Sequence, residues 1–318
     1  MNFVNPKTDF AFKKIFGSQQ SKAILISFLN SILYPSAPYI KNLKILNPYQ
    51  APRIRGIKDT YLDIKALLSD GTTVIIEMQV LNIEGFEKRI LYNAAKSYSI
   101  QLAPGDDYTL LNPVIALTIT DFEMFPDIER AITRFILKER DYLVDYIIDD
   151  LELVFVELPK FNRELDELTS LADKWLYFIK NARELEKVPD DFQEVPELKR
   201  AFEIANRANL SREELEELEK HEIFIHDQRN AIKRALKQGL EKGRKQGLEK
   251  GLKEGLEKGQ KAGHKEGRKE GLKEGREEGR REAQIVMVRQ LLGVLDEETI
   301  HQTTGFSLEE IRQIASEN

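Results

Sequence analysis

The chain has 318 residues, 48 Lys and Arg against 54 Asp and Glu, a net charge of −6 and no cysteine. That length allows one sizeable core with appendages, the missing cysteine excludes disulfides and thiolate metal or redox sites, and the acidic balance argues against a general nucleic-acid coat protein. His221, His226, His264 and His301 show no zinc-ligand spacing, no stretch is apolar and long enough to span a membrane, and Met1 to Asp9 lacks a signal-peptide pattern, so the cytoplasm is the expected location.

In chain order, residues 7–34 read as one or two helices, with Phe12, Ile15, Phe16, Ile24, Phe28, Leu29 and Ile32 on recurring apolar positions. Pro35 and Pro38 break that pattern. A strand is expected at Leu43 to Leu46, followed by a loop with Pro48, Pro52 and Gly56. Two segments then alternate with period two, Tyr61 to Leu68 and Thr73 to Val80, joined by a turn carrying Asp70-Gly71. Ile64, Ala66 and Leu68 make one apolar face, and Val74, Ile76 and Met78 another. A two-residue loop pairing Ser69 with Thr72 would set Asp63 against Met78 and mix the faces, whereas a three-residue loop with Gly aligns them. The aligned register gathers Asp63, Lys65, Glu77 and Gln79 on the other face. That face is either a solvated outer surface or a site for a hard divalent cation such as Mg²⁺, which takes carboxylate, water and phosphate oxygens. Glu77 interrupts a strongly apolar strand, and an acidic residue in such a run calls for a partner.

Phe86 to Leu102 reads as a helix ended by Pro104-Gly105, with Arg89, Tyr92 and Lys96 on one i, i+3, i+7 line. Pro113 to Thr120 and Leu151 to Leu158 are near-continuous apolar runs, the pattern of buried strands. Helix, strands, helix and strand make an α/β core with helices on a mixed sheet. Residues 161–232 are charged and helix-patterned, with a local stripe at Trp175, Leu176, Phe178 and Ile179 and a capping box from Ser211 to Glu214. They read as a helical subdomain without chemistry of its own. Glycine then recurs at every fourth position from Gly239 to Gly279. Each interior Gly costs a helix about 1 kcal/mol relative to Ala. Two readings stand: a flexible polar linker, or a helix whose strict period serves close self-association. After residue 283 ordinary patterning returns, with Ile285, Val288, Leu291 and Leu292 on one stripe and Ser307 with Glu310 as a capping box.

The order Asp63, hairpin, Glu77-Met78-Gln79 resembles the Asp … Glu-x-Lys pattern of the PD-(D/E)XK nuclease superfamily. Thr8 to Gly17, Leu25 to Leu33, Leu62 to Lys65, Ile75 to Gln79 and Lys88-Arg89 with Tyr92, Tyr98 and Gln101 look more closely like the Rpn family of recombination-promoting nucleases and transposase-like proteins. The resemblance covers most of the chain. It implies a restriction-endonuclease-like α/β core, a mixed sheet flanked by helices, followed by an all-helical C-terminal part with a long Gly-x-x-x repeat helix. The expected division is residues 1–160 as the nuclease-like domain, 161–232 as a helical subdomain, 233–282 as the glycine repeat and 283–318 as a small helical module.

The same resemblance implies a metal-dependent DNA endonuclease that uses Mg²⁺ or Mn²⁺ and no organic cofactor, and that promotes recombination. Asp63 and Glu77 would be the metal ligands, with the Met78 carbonyl as a further donor and Asp9 reaching towards the metal or its waters. Gln79 stands where the superfamily has lysine. An amide carries no charge and is no general base near neutral pH, so Gln79 would orient water while Lys13 or Lys65 supplies positive charge. The expected DNA contacts are Lys13, Lys65, Arg89, Tyr92, Lys96 and Gln101, within a wider basic patch that includes Lys14, Lys22 and Lys88. The expected partners are DNA and further copies of the chain, joined through the repeat, and no membrane. The alternative is a nucleic-acid-binding or interaction protein on a catalytically weak nuclease scaffold.

Overall fold

The computed structural model describes residues 3–50 and 60–316; the loop positions Pro52 and Gly56 lie outside the described residues. Contacts divide the chain into Met1–Ile232 and Lys233–Asn318.

In the first unit, α1 (Asp9–Phe16) starts after Thr8, whose hydroxyl accepts the Ala11 N–H. α2 (Lys22–Leu33) follows. Then come β1 (Leu43–Leu46), β2 (Tyr49–Gln50), β3 (Thr60–Tyr61), β4 (Ile64–Leu68), β5 (Thr73–Gln79) and α3 (Phe86–Ser99). β6 (Val114–Thr120), β7 (Ile132–Phe135), β8 (Leu151–Glu157), α4 (Leu171–Asn181), α5 (Asp190–Gln193), α6 (Pro196–Ala205) and the start of α7 (Arg212–Leu291) complete it.

The main sheet has the order β1-β4-β5-β6-β8-β7. β1, β4 and β5 are antiparallel, β5, β6 and β8 are parallel, and β7 closes the edge antiparallel to β8. Parallel neighbours need a crossover, and α3 supplies it between β5 and β6. The β4–β5 register pairs Ile64 with Ile76 and Leu67 with Thr73, so the loop is the three residues Ser69, Asp70 and Gly71. Gly71 takes φ +94, the left-handed conformation a three-residue hairpin needs. A Cβ there would also lie 2.4 Å from Asn112 Oδ1.

The two faces of this sheet are covered differently. Ile64, Ala66, Val74, Ile76, Leu117 and Val154 are buried with Phe12, Phe16 and Phe28 from α1 and α2. Trp175 and Phe178 of α4 and Phe202 of α6 join that same cluster, with Trp175 5.7 Å from Phe16 and 6.0 Å from Phe28 between ring centroids. The segment 161–232, expected as a subdomain packed on the core, therefore shares the core itself. α3 covers the opposite face, where Leu62, Ile75, Ala94 and Ala116 pack together. That cover excludes the solvated-surface reading of the polar hairpin face.

Three local features depart from the sequence reading. The strand expected from Tyr61 to Leu68 breaks at Leu62-Asp63, because Thr60-Tyr61 pairs with Tyr49-Gln50 in a separate ladder before the chain joins the main sheet. α3 ends at Ser99, short of Leu102, where the Ile100 N–H returns to the Lys96 carbonyl. β7 was not foreseen, since only Thr133 within it is buried and it carries no clear alternation.

Residues from Gly239 to Gly279 are helical and exposed, which favours the helix over the linker reading. Apart from the chain neighbours and the helix's own backbone, no atom of the described residues lies within 4 Å of a Cβ built on any of these glycines. In the second unit, α8 (Glu297–Thr304) and α9 (Leu308–Ser316) bury Ile300, Ile311 and Ile314 with Val288. Ser307 and Glu310 exchange the expected capping hydrogen bonds, 2.9 and 3.2 Å.

Candidate active site

Asp63 sits at the chain's switch from the small ladder to the main sheet, one step beyond the Ile64–Ile76 pair and so across from Glu77. With no backbone partner at that point, the Met78 N–H donates to Asp63 Oδ2 at 2.7 Å. The Asp63 carboxyl thus replaces a ladder carbonyl and is fixed against β5. Glu77 lies beside Thr118 of β6 and beneath α3. Burial, and then the Asp63 charge, push the Glu77 carboxyl up to about 8. Burial, helped by the hydrogen bond and charge of Asp9, also raises Asp63, to about 6, against the pull of the Met78 N–H and the Lys13 charge.

Asp9 and Lys13 come from α1. Their i, i+4 spacing puts both on one helical face, with Lys13 Nζ 2.7 Å from Asp9 Oδ1 and 3.4 Å from Asp63 Oδ1. Burial pushes Asp9 upward, but hydrogen bonds to Lys13 and Asp63 outweigh it and hold the carboxyl below its usual range. Burial likewise opposes the Lys13 charge, and Asp9 and Asp63 restore it, leaving the amine above its usual value. Of the two lysines considered for the missing positive charge, Lys13 contacts the acids. Lys65 is half-buried, and burial lowers its amine.

Gln79 is engaged at both ends. Its Nε2 donates to the Leu81 carbonyl at 2.8 Å, and its Oε1 accepts from Arg89 Nη2 at 2.8 Å. One N–H and one lone-pair direction remain for a water.

Two expected DNA contacts are used inside the fold. Lys96 is 6 % exposed, and its Nζ donates to the Gln50 carbonyl at 2.9 Å and to Thr60 Oγ1 at 3.2 Å. It pins α3 to the small ladder and does not present its charge at the surface. Gln101 bonds both ways to the Asn112 backbone, 2.9 Å each, and Asn112 in turn packs on Gly71. Its amide braces the hairpin turn. Arg89 and Tyr92 are exposed on α3, as are Lys88 nearby and Tyr61 on β3.

Asn93 is the residue the sequence reading missed. It is 3 % exposed, its Nδ2 donates to Glu77 Oε1 at 3.2 Å, and its Oδ1 is buried without a protein partner. The signal was present: Asn93 falls on the inward line of α3 with Phe86, Ile90 and Ser97, where a polar side chain needs a partner.

The donor set suits a hard divalent cation. Two carboxylates face one another with both acidities weakened, a repulsion a cation relieves, and Mg²⁺ commonly takes one or two carboxylates plus water and phosphate oxygens. Among the described residues no three His, Cys, Asp or Glu side chains converge into one metal cluster; Asp9 adjoins the pair through its hydrogen bond with Asp63. Among the described residues, too, no helix is long and apolar enough to cross a membrane.

A family model of PD-(D/E)XK nuclease family transposases matches residues 6–235, which hold the whole main sheet, the acid pair and all of the shared core but Phe3 and Val4. No curated protein and no solved structure matches the chain. The match spans well over half of the 318 residues, and the chain belongs to the PD-(D/E)XK nuclease family transposases.

Proposed function

We propose that the chain is a Mg²⁺- or Mn²⁺-dependent DNA endonuclease, with Asp63 and Glu77 as the protein ligands of the cation and DNA cleavage as its contribution to recombination. The part-buried, facing carboxylates of Asp63 and Glu77 carry this reading, and the family supports a nuclease. A bound divalent cation supplies Lewis acidity, lowering the pKa of a water and stabilising phosphoryl and leaving oxygens. The chain's own residues do the positioning. The Met78 N–H fixes Asp63, and Asn93 fixes Glu77. Arg89 holds Gln79 so that its free N–H or lone pair orients the attacking water. Lys13 keeps Asp9 ionised, which leaves Asp9 able to take a proton from that water. A DNA substrate fits the expected cytoplasmic location.

Self-association through the glycine repeat belongs to the same proposal. Its support is the strict period together with the open space that a Cβ at these glycines would meet among the described residues beyond their own helix.

The second reading, a nucleic-acid-binding protein on a weak nuclease scaffold, is favoured by one observation: position 79 is an amide with both ends engaged. Incubation of the full chain with supercoiled plasmid separates the two. Nicking or linearisation with Mg²⁺ or Mn²⁺, lost in EDTA and in Asp63→Ala, is the nuclease outcome. DNA retention without cleavage is the scaffold outcome, and equal cleavage by wild type and Asp63→Ala refutes the assigned site.

A further inference from the structure

An open cavity of about 1230 Å³ lies beside the acid pair, lined by α3, the residues Ile83 to Gly85 that lead into it, and Thr60 and Tyr61 of β3. It is an open surface cleft and not an enclosed pocket, a shape that admits a polymer strand. It is continuous with the candidate active site, because Arg89 and Asn93 line it while bonding Gln79 and Glu77.

Its walls carry aromatic rings. Tyr61 of β3 is 73 % exposed and Tyr92 of α3 39 % exposed; both line the cavity, and the Lys96 ammonium lies 6.0 Å from the Tyr92 ring centroid. The Tyr61 ring backs onto Tyr49, with centroids 4.9 Å apart and planes inclined by 34°. A ladder of two residues per strand is marginal by itself. Here it is tied down by the buried Lys96, which bonds the Gln50 carbonyl and Thr60 Oγ1, and by Thr60 Oγ1 donating to Gln50 Oε1 at 3.1 Å. A buried ammonium and its hydrogen bonds thus hold an exposed tyrosine at a fixed place next to the acids. Lys88 and Arg89 lie on the same lining, along with one acid, Glu84.

We propose that this cavity is a subsite for unpaired nucleobases, with Tyr61 and Tyr92 as stacking platforms and Lys88 and Arg89 meeting the flanking phosphates. The substrate class is then DNA with a single-stranded or frayed segment at the cleavage point. Duplex bases stack on one another and offer no face to a side chain, whereas an unpaired base does. This inference rests on the nuclease reading for its setting, but its test does not require cleavage.

The test is fluorescence anisotropy of the full chain in EDTA, where no metal-dependent cleavage occurs. The probes are a labelled oligothymidylate of about 16 nucleotides and a blunt duplex of equal length, with heparin as a charge-only competitor. Wild type binds the single strand more tightly than the duplex. Tyr61→Ala and Tyr92→Ala each weaken single-strand binding about five- to one-hundred-fold, the range for losing one stacked base, while Tyr61→Phe keeps it because the ring remains. Equal weakening on both probes, no weakening at all, or displacement by heparin that is the same for wild type and Tyr61→Ala overturns the subsite. Plasmid cleavage by wild type alongside failure here removes the subsite and leaves the nuclease. The converse result keeps the subsite and removes the nuclease.

Discussion

Glu77→Gln should make the metal-free protein more stable at alkaline pH while removing its activity. The Glu77 carboxyl moves from its usual 4.5 up to about 8 on folding, through burial first and the Asp63 charge second. A change of that size corresponds to about 5 kcal/mol; residual hydration and coupling to Asp63 reduce the usable part to about 2–4 kcal/mol. The sign follows from proton linkage. Between 4.5 and about 8 the folded chain holds the proton that the unfolded chain has released, so stability falls as pH rises through that window and stays low above it. Asp63 adds a smaller loss of the same sign between 3.8 and about 6. Glutamine preserves the volume and still accepts the Asn93 N–H, but it has no charge to bury. Urea denaturation of the full chain in EDTA at about pH 5 and about pH 9 reads the difference. Wild type should lose several kcal/mol between the two, and the variant less by about 2–4 kcal/mol. Mg²⁺ should stabilise wild type at the higher pH by more than it stabilises the variant. A wild-type stability that is flat from pH 5 to pH 9, or a variant weaker than wild type at pH 9, would refute the reasoning.

Other expectations follow from single contacts. Lys160→Met leaves the buried Glu157 carboxylate without its cation, since the pair is 7 % and 0 % exposed at 2.7 Å, although the Met124 and Phe125 N–H groups still donate to it; the loss should be about 2–4 kcal/mol in urea unfolding, and a cost below about 1 kcal/mol would contradict it. Lys13→Met removes a charge that holds both Asp63 and Glu77 down, so the acid limb of the kcat/KM profile should move to higher pH, and an unmoved limb counts against a role for Lys13. Arg89→Ala frees Gln79 Oε1 and should lower kcat/KM about ten- to a hundred-fold with the fold intact by circular dichroism; unchanged kinetics would show that Gln79 needs no holding. Alanine at Gly247, Gly255 and Gly263 together meets open space and should raise helix content by about 1 kcal/mol of propensity per site. The same change should lower the solution mass by light scattering, and an unaltered mass would mean that no second copy uses those glycines.

The parts legible from sequence were those governed by strict alternation. The three-residue loop at Asp70-Gly71 had only one register that aligned Ile64, Ala66 and Leu68 with Val74, Ile76 and Met78, and it set Asp63 opposite Glu77. The continuous apolar runs of β6 and β8 likewise declared buried strands. α3 was harder, because it covers a polar sheet face and its own inner face is therefore partly polar. Its line of Arg89, Tyr92 and Lys96 looked like the functional one, whereas Asn93 sits over Glu77 and Lys96 turns to a carbonyl 46 residues away. No local pattern reports such a distant partner. The membership of Trp175 and Phe202 in the main core depends on long-range packing too, and the edge strand β7 has too little burial to mark itself.

Calorimetric titration of the full chain with Mn²⁺ near pH 7, in two buffers of different ionisation enthalpy, tests the central assignment most directly. With its carboxyl pushed up to about 8 by burial and the Asp63 charge, Glu77 is expected to be mostly protonated at that pH in the metal-free chain, and a cation must displace that proton to bind. The expected result is Mn²⁺ binding with proton release, lost in Asp63→Ala, and in Glu77→Gln either lost or stripped of its proton release. Binding that survives both substitutions with its proton release unchanged, or no binding by wild type, would contradict the placing of the metal at Asp63 and Glu77.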